Sequence, residues 1–249
     1  MLVDFLLPVY NEEKILKDNV LRLHRFIKKN NFQFDWRLVI VVNGSNDSSL
    51  NIAERLSREF DNILVYSLKN AGKGRAIKSY AGDKMADIAA YMDIDLAVSL
   101  KDIPNLIKAV IIDNYDLAVG SRYLPGSVVR RSYLRSFISI VYNFIARKIL
   151  RNNFTDLQCG FKAIKREAFK KIMPYVKNEH WFFDTELIVF ADKFNFEIKE
   201  IPVNWSESRY ERRKSKAFIL SGSVNFIFKI IELRRRINNL SLTNSKNKI

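Results

Sequence analysis

Short apolar runs rich in β-branched residues alternate along this chain with longer stretches of helical period. That alternation restricts it to βαβ units around a largely parallel sheet. Residues 3–7 read as a first strand, and Asn11 then stands as an N-cap before an amphipathic helix carrying Ile15, Leu16, Val20, Leu23 and Ile27. Strands are predicted at 38–42, 63–66, 88–92, 117–120 and 197–203, with helices at 52–60, 74–84, 103–112 and 133–150. Shorter elements follow around 161–173 and 184–194, and no fixed-period repeat is visible.

An open parallel sheet binds its ligands outside the carboxyl ends of its strands. The polar clusters Tyr10-Asn11-Glu12, Asn43-Gly44-Ser45 and Asp93-Ile94-Asp95 each fall directly after a predicted strand, so a site is expected along that edge. With 249 residues, 48% of them hydrophobic, the chain buries one sizeable core, which excludes disorder for its bulk. The net charge of +15 favours a polyanionic partner: a nucleotide, an anionic lipid surface or a nucleic acid. Much of it is clustered, in Arg130, Arg131 and Arg135, in Arg209, Arg212, Arg213, Lys214 and Lys216, and in 234–236. Cys159 is the only cysteine, so an intrachain disulfide and a four-ligand Cys/His zinc site are excluded by count, and a reducing, cytosolic compartment is expected. No secretion signal is read at the N-terminus. The stretch 217–231 falls short of the roughly 20 apolar residues of a spanning helix.

Asp93 and Asp95 leave a buried run one residue apart on a turn, where hard divalent cations take carboxylate oxygens shared with diphosphate; a helix cap on an exposed turn is the plainer alternative. Asn70-Ala71-Gly72-Lys73-Gly74-Arg75 puts two glycines and two cations before a helix, either to hold phosphate or as a surface turn, and its spacing is not that of a P-loop. Asp156 with Gln158, and Asp184 with Glu186, are acids beside aromatics, suited to a general base or to substrate positioning; Asp184 also reads as a helix N-cap. His24 and His180 are the only histidines and support neither a His-rich metal site nor a catalytic triad.

Taken together, these segments resemble family 2 glycosyltransferases, in the branch of dolichyl-phosphate glucosyltransferases and polyprenyl-phosphate mannose synthases. The matching landmarks begin with Leu7-Pro8-Val9-Tyr10-Asn11-Glu12, Asn43-Gly44-Ser45-Asn46-Asp47, Gly72-Lys73-Gly74 and Asp93-Ile94-Asp95. They continue with Gly120-Ser121-Arg122-Tyr123, Asp156-Leu157-Gln158-Cys159-Gly160-Phe161-Lys162 and Phe183-Asp184-Thr185-Glu186, in order over most of residues 4–205. The resemblance implies a Rossmann-like GT-A fold, an inverting mechanism, and Mg²⁺ or Mn²⁺ held by Asp95 together with Asp93. It places Pro8, Tyr10, Glu12, Lys73 and Asp93 on the nucleotide-sugar donor, and Arg122, Arg135 and Ser139 on the acceptor phosphate. One departure stands out: relatives carry two consecutive aspartates where this chain has Val42-Asn43. An Asn43 carboxamide offers both a donor and an acceptor, which suits uracil better than guanine and favours a UDP-sugar.

A polyprenyl or dolichyl phosphate is already largely ionised at neutral pH, so positioning matters more than a base, with Asp156 as the residue to supply one if needed. The expected organisation is a catalytic domain over 1–205, a basic loop and amphipathic helix over 206–236, and a flexible tail over 237–249. The helix either lies on a membrane or packs on the domain, and the residues from 134 to 150 form a second such candidate. The protein is thus expected at the cytoplasmic face of a membrane, with a homo-oligomer left open. Rival readings are transfer to a soluble or cell-wall glycan and a non-catalytic polyanion- or membrane-binding protein on the same scaffold. Nucleic acid is not expected as a partner, since no reader motif accompanies the charge.

Overall fold

The computed structural model describes residues 1–81, 85–207 and 221–246. β1 (Leu2–Val9), β2 (Asp35–Asn43), β3 (Ile63–Leu68), β4 (Ile88–Met92), β5 (Leu117–Ser121), β7 (Phe161–Lys165) and β8 (Ile198–Pro202) form one sheet. Its order is β3-β2-β1-β4-β7-β5-β8, and β7 alone runs antiparallel to its neighbours β4 and β5. A two-stranded sheet pairs β6 (Val128–Arg130) with β9 (Asn204–Ser206).

Alternate residues of a strand face opposite sides of its sheet, and here both sides are covered. Phe5, Leu7, Leu38 and Ile40 pack on the side of α1 (Leu16–Asn30), α2 (Ser49–Glu59) and α4 (Ile103–Ile111). Leu6, Val39 and Val41 pack against α3 (Lys73–Lys78), α6 (Arg166–Ile172) and α7 (Phe183–Lys193), with α5 (Tyr133–Leu150) and α8 (Ser221–Lys246) contributing to the same core. The one carboxylate inside β1, Asp4, is fully buried and takes a bidentate fork from Arg37, at 2.7 and 2.6 Å, and the Tyr80 hydroxyl at 2.5 Å.

Several expectations need correction. Asn11 caps no helix: it adopts a left-handed φ of 53°, accepts a bond from Asn46 N–H, and α1 begins only at Leu16. The helix predicted over 74–84 closes at Lys78, and residues 82–84 lie outside the described residues. Asp184 sits inside the first turn of α7, not at its cap, because two lysines claim its carboxylate. The tail expected to be flexible from residue 237 is helical to Lys246, with Ile230, Leu233 and Ile237 buried against the domain and Arg236 paired to Glu186. The basic cluster from Arg209 to Lys216 lies outside the described residues. Among the described residues no helix is long and apolar enough to cross a membrane.

The short helix α3 touches the segment before α7 at van der Waals range, and glycine makes this possible. A Cβ on Gly74 would lie 2.6 Å from the Asn178 carbonyl oxygen and 2.7 Å from Phe183 Cβ, and one on Gly72, at φ +154°, would strike the Glu179 carbonyl. Gly74→Ala is therefore expected to destabilise the fold by about 1–3 kcal/mol through overpacking. Urea unfolding would show this as a lower midpoint at unchanged slope.

Candidate active site

The carboxyl ends of β1, β2, β4 and β5 and the amino end of β7 reach the same edge of the sheet, since β7 runs the other way. Pro8, Tyr10 and Glu12 stand at the end of β1, and Tyr10 is exposed there. Glu12 N–H donates to Ser49 Oγ at 2.9 Å, which fixes the turn. Asp93 and Asp95 follow β4 on a turn that Leu96 closes with a φ of 50°.

Between them and α7 lies a chain of buried charge. Lys73 Nζ is 2.9 Å from Asp93 Oδ1 and 3.0 Å from Asp184 Oδ2. Asp184 Oδ1 in turn receives Lys162 Nζ at 2.6 Å and the Tyr91 hydroxyl at 2.6 Å. Burial disfavours the ammonium of Lys73, but Asp184 and Asp93 outweigh it and keep it firmly protonated. Burial likewise works against the Asp184 carboxylate, and Lys162 and Lys73 overcome it, holding the carboxyl below its usual range. Two carboxylates stand at ion-pair distance from an ammonium that has three donors, so a donor is left over. Gly160 lets the backbone before β7 close on this pair, since a Cβ there would fall on Lys73 Nζ and 2.5 Å from Asp93 Oδ2. An ammonium with a donor to spare, at the strand edge beside paired aspartates, is the arrangement that suits a diphosphate.

The Asp95 carboxyl is pushed up to about 6, first by burial and then by the charges of Asp93 and Glu12. Two crowded carboxylates are what a divalent cation relieves. Among the described residues no group of three or more His, Cys, Asp or Glu side chains stands ready to hold a metal. The pair fits Mg²⁺ or Mn²⁺ in the manner of sites that take one or two carboxylates and complete the shell with diphosphate oxygens and water.

Asn43 does not serve as expected. Its carboxamide is buried, donates to Val9 O at 2.8 Å and Val41 O at 3.3 Å, and accepts Gly72 N–H at 2.8 Å. Backbone occupies it on three sides, so it is not available to a nucleobase; it ties the end of β2 to the turn that carries Lys73.

On the far side of the edge, Arg122 and Asp156 satisfy each other. The guanidinium forks onto the carboxylate at 2.6 and 2.9 Å, and Arg122 N–H and Gln158 N–H add to it. Burial works to raise the Asp156 carboxyl, and the Arg122 charge reverses this, leaving it below the usual range. A carboxylate so held is a poor general base, which corrects that expectation for Asp156, and Arg122 is not an independent phosphate fork. Arg135 is also engaged, by Glu207. Among the described residues, the arginine of this cluster without a carboxylate partner is Arg131, which the sequence marks only as part of a basic cluster with Arg130 and Arg135. Its Nη1 donates to Ser139 Oγ at 2.9 Å, its guanidinium lies 5.5 Å from the Trp205 ring centroid, and its buried Nε has no hydrogen-bond partner. Burial and the nearby charge of Arg122 lower its proton affinity, the mark of a cation short of anions. Among the described residues, the three guanidiniums of Arg122, Arg131 and Arg135 thus stand against two carboxylates, those of Asp156 and Glu207. In the sequence the Arg130-Arg131 pair points here through its charge and Lys162 through the landmark that it closes, whereas Trp181 and Trp205 carry no signal beyond their residue type.

Comparison with known proteins agrees with this architecture. Residues 4–173 match the family described as glycosyl transferase family 2. The chain is 35% identical over 208 residues to the glycosyltransferase AglD of Haloferax volcanii, covering 82% of this chain but only 33% of that protein. It is 31% identical over 245 residues to a dolichyl-phosphate beta-glucosyltransferase of Dictyostelium discoideum, covering 93% of this chain and 73% of the relative. In fold it is similar to glucosyl-3-phosphoglycerate synthase from Mycobacterium tuberculosis, solved with Mn²⁺, UDP and phosphoglyceric acid. That likeness has a TM-score of 0.68 at 15% identity, over 93% of this chain and 78% of that one. The alternating sheet, the paired aspartates after β4 and the matched span together place this chain in glycosyl transferase family 2, as an enzyme of the glycosyltransferase class.

Proposed function

We propose that the chain transfers a sugar from a UDP-sugar to an acceptor bearing a phosphate monoester, with Mg²⁺ or Mn²⁺ held by Asp95 and Asp93. The observation that carries the acceptor class is Arg131: a half-buried guanidinium with an unpartnered Nε, beside Ser139 and without an ion pair among the described residues. A planar fork of that kind suits phosphate.

Lys73 directs its spare donor at the diphosphate, while Pro8, Tyr10 and Glu12 border the nucleoside. A divalent cation bound at the aspartates supplies positive charge that stabilises the departing diphosphate. Arg131 and Ser139 orient the acceptor so that a phosphate oxygen attacks the anomeric carbon from the side opposite the leaving group, with inversion. That oxygen is already ionised near neutral pH, which removes the need for a base and agrees with an Asp156 locked onto Arg122.

Two acceptors present this group. The polyprenyl or dolichyl phosphate reading is supported by the relatives of that name and by α5, along which Tyr133, Phe137, Ile140 and Phe144 are each more than half exposed. Phe228 of α8 adds to this apolar surface, which suits a protein lying on the cytoplasmic face of a membrane. A soluble phosphorylated acceptor is supported by the fold shared with glucosyl-3-phosphoglycerate synthase. Incubation with radiolabelled UDP- and GDP-sugars, Mn²⁺ and either polyprenyl phosphate or phosphoglyceric acid separates them. Label extracted into organic solvent establishes the lipid acceptor; label in a water-soluble anion establishes the other. A folded protein that yields neither refutes the acceptor class. Arg131→Gln is expected to raise the acceptor KM by tenfold or more, on the order of 1.4 kcal/mol, and leave donor binding intact.

Metal binding requires the ionised Asp95. In the free protein its ionisation is opposed, so the neutral form's stabilising contribution is full below the ordinary carboxylate range and lost as pH rises through about 6. A bound cation removes that penalty. The rise in Tm caused by Mn²⁺ should therefore be large at pH 7.5, fade below about pH 6, and vanish in Asp95→Asn, as thermal unfolding at the two pH values will show.

A further inference from the structure

Trp181 is an exposed indole, at 60%, followed directly by the buried Phe182 and Phe183, which anchor it to the start of α7. Its ring centroid lies 5.1 Å from Lys73 Nζ, so the ammonium covers one face of the ring and the rest of this exposed indole borders the catalytic edge. The placement is rigid. Gly72 and Gly74 let the Lys73 turn dock directly on Asn178 and Glu179, Arg75 N–H donates to the Glu179 carbonyl at 3.0 Å, and the side chains of Arg75 and Glu179 form an ion pair. Lys73 and Trp181 thus move as one unit. No step described above uses Trp181, and its place beside Lys73 rather than its exposure alone sets it apart from the other exposed aromatic side chains.

The order of groups along the edge says which part of a donor it meets. Pro8 and Tyr10 mark the nucleoside end at β1, and Lys73, Asp93 and Asp95 mark the diphosphate at β4. Continuing in the same direction leads to β7 and α7, which Lys162 and Asp184 join. The group beyond the diphosphate of a nucleotide-sugar is the sugar. We propose that Trp181 is the stacking platform for the transferred sugar, taking the C–H face of a pyranose ring on its indole. Pyranose C–H groups carry slight positive charge and meet the negative face of an aromatic ring favourably.

This inference rests on the nucleotide-sugar donor proposed above. Calorimetric titration of UDP and of UDP-glucose, each with Mn²⁺, into the wild type, Trp181→Phe and Trp181→Ala tests it. Trp181→Ala should weaken UDP-glucose about tenfold, equivalent to ~1.4 kcal/mol, and leave UDP unchanged. Trp181→Phe, which retains a π face, should recover most of the loss. Equal weakening of both ligands would show that the indole acts only through Lys73, and weakening of neither would show no contact; either result overturns the platform. A wild type that binds neither ligand overturns the donor reading itself, which keeps the two failures apart.

Discussion

Lys73 and Lys162 bring two positive charges into the interior, and Asp184, itself buried, lies between them at 3.0 and 2.6 Å. Charges removed from water persist only when they are paired, so each member of this chain fixes the others. Asp184 belongs to α7, Lys73 to α3 and Lys162 to β7, and Asp93 extends the chain to the turn after β4. Four segments remote in sequence are thereby held in register at one edge of the sheet. The surplus is equally informative: Lys73 meets two carboxylates and still has a donor to give. Removing Asp184 would strand two ammonium groups, so its role in the fold and its role in presenting Lys73 are one constraint.

The two sides of the site differ in how they treat charge. On the donor side, carboxylates crowd together and raise Asp95, which prepares the place for a cation. Across from it, the guanidiniums of Arg122, Arg131 and Arg135 outnumber the carboxylates of Asp156 and Glu207 among the described residues and prepare the place for an anion. Arg122 and Asp156 stand between, each neutralising the other. Their fork also fixes the end of β5 to the loop entering β7, so their burial serves geometry before chemistry.

Much of the fold was legible because both faces of the sheet are covered and its strands read as unbroken apolar runs. β4 and α5 fall where the pattern put them, and Asp93 and Asp95 were found because they follow such a run. What the sequence concealed was pairing. Asn43 has the chemistry to read a base, yet backbone groups of Val9, Val41 and Gly72 surround it. Asp184 has the pattern of a cap, yet two lysines from other elements take it. Arg122, Arg131 and Arg135 look alike in sequence, and only the carboxylates opposite two of them, Asp156 and Glu207, single out Arg131 as the one without an ion pair among the described residues. Such facts depend on partners that no local window contains.

The reversed strand β7 has a consequence for how the molecule assembles. β4 and β5 follow one another along the chain but never pair; the gap between them is filled by a strand made some forty residues after β5, roughly the length of chain that encloses α5. Until β7 arrives, the emerging polypeptide holds the fragment β3-β2-β1-β4 with an open edge at β4, while β5, whose partners β7 and β8 both come later, has no strand to pair with. Closing that gap is a long-range event of the kind that makes folding slow. The same insertion delivers Asp156, Gly160 and Lys162 to the rest of the site. Donor and acceptor halves therefore first meet in the step that joins β5 to β4 through β7, and a chain stalled before β7 offers unpaired edges in place of a catalytic surface.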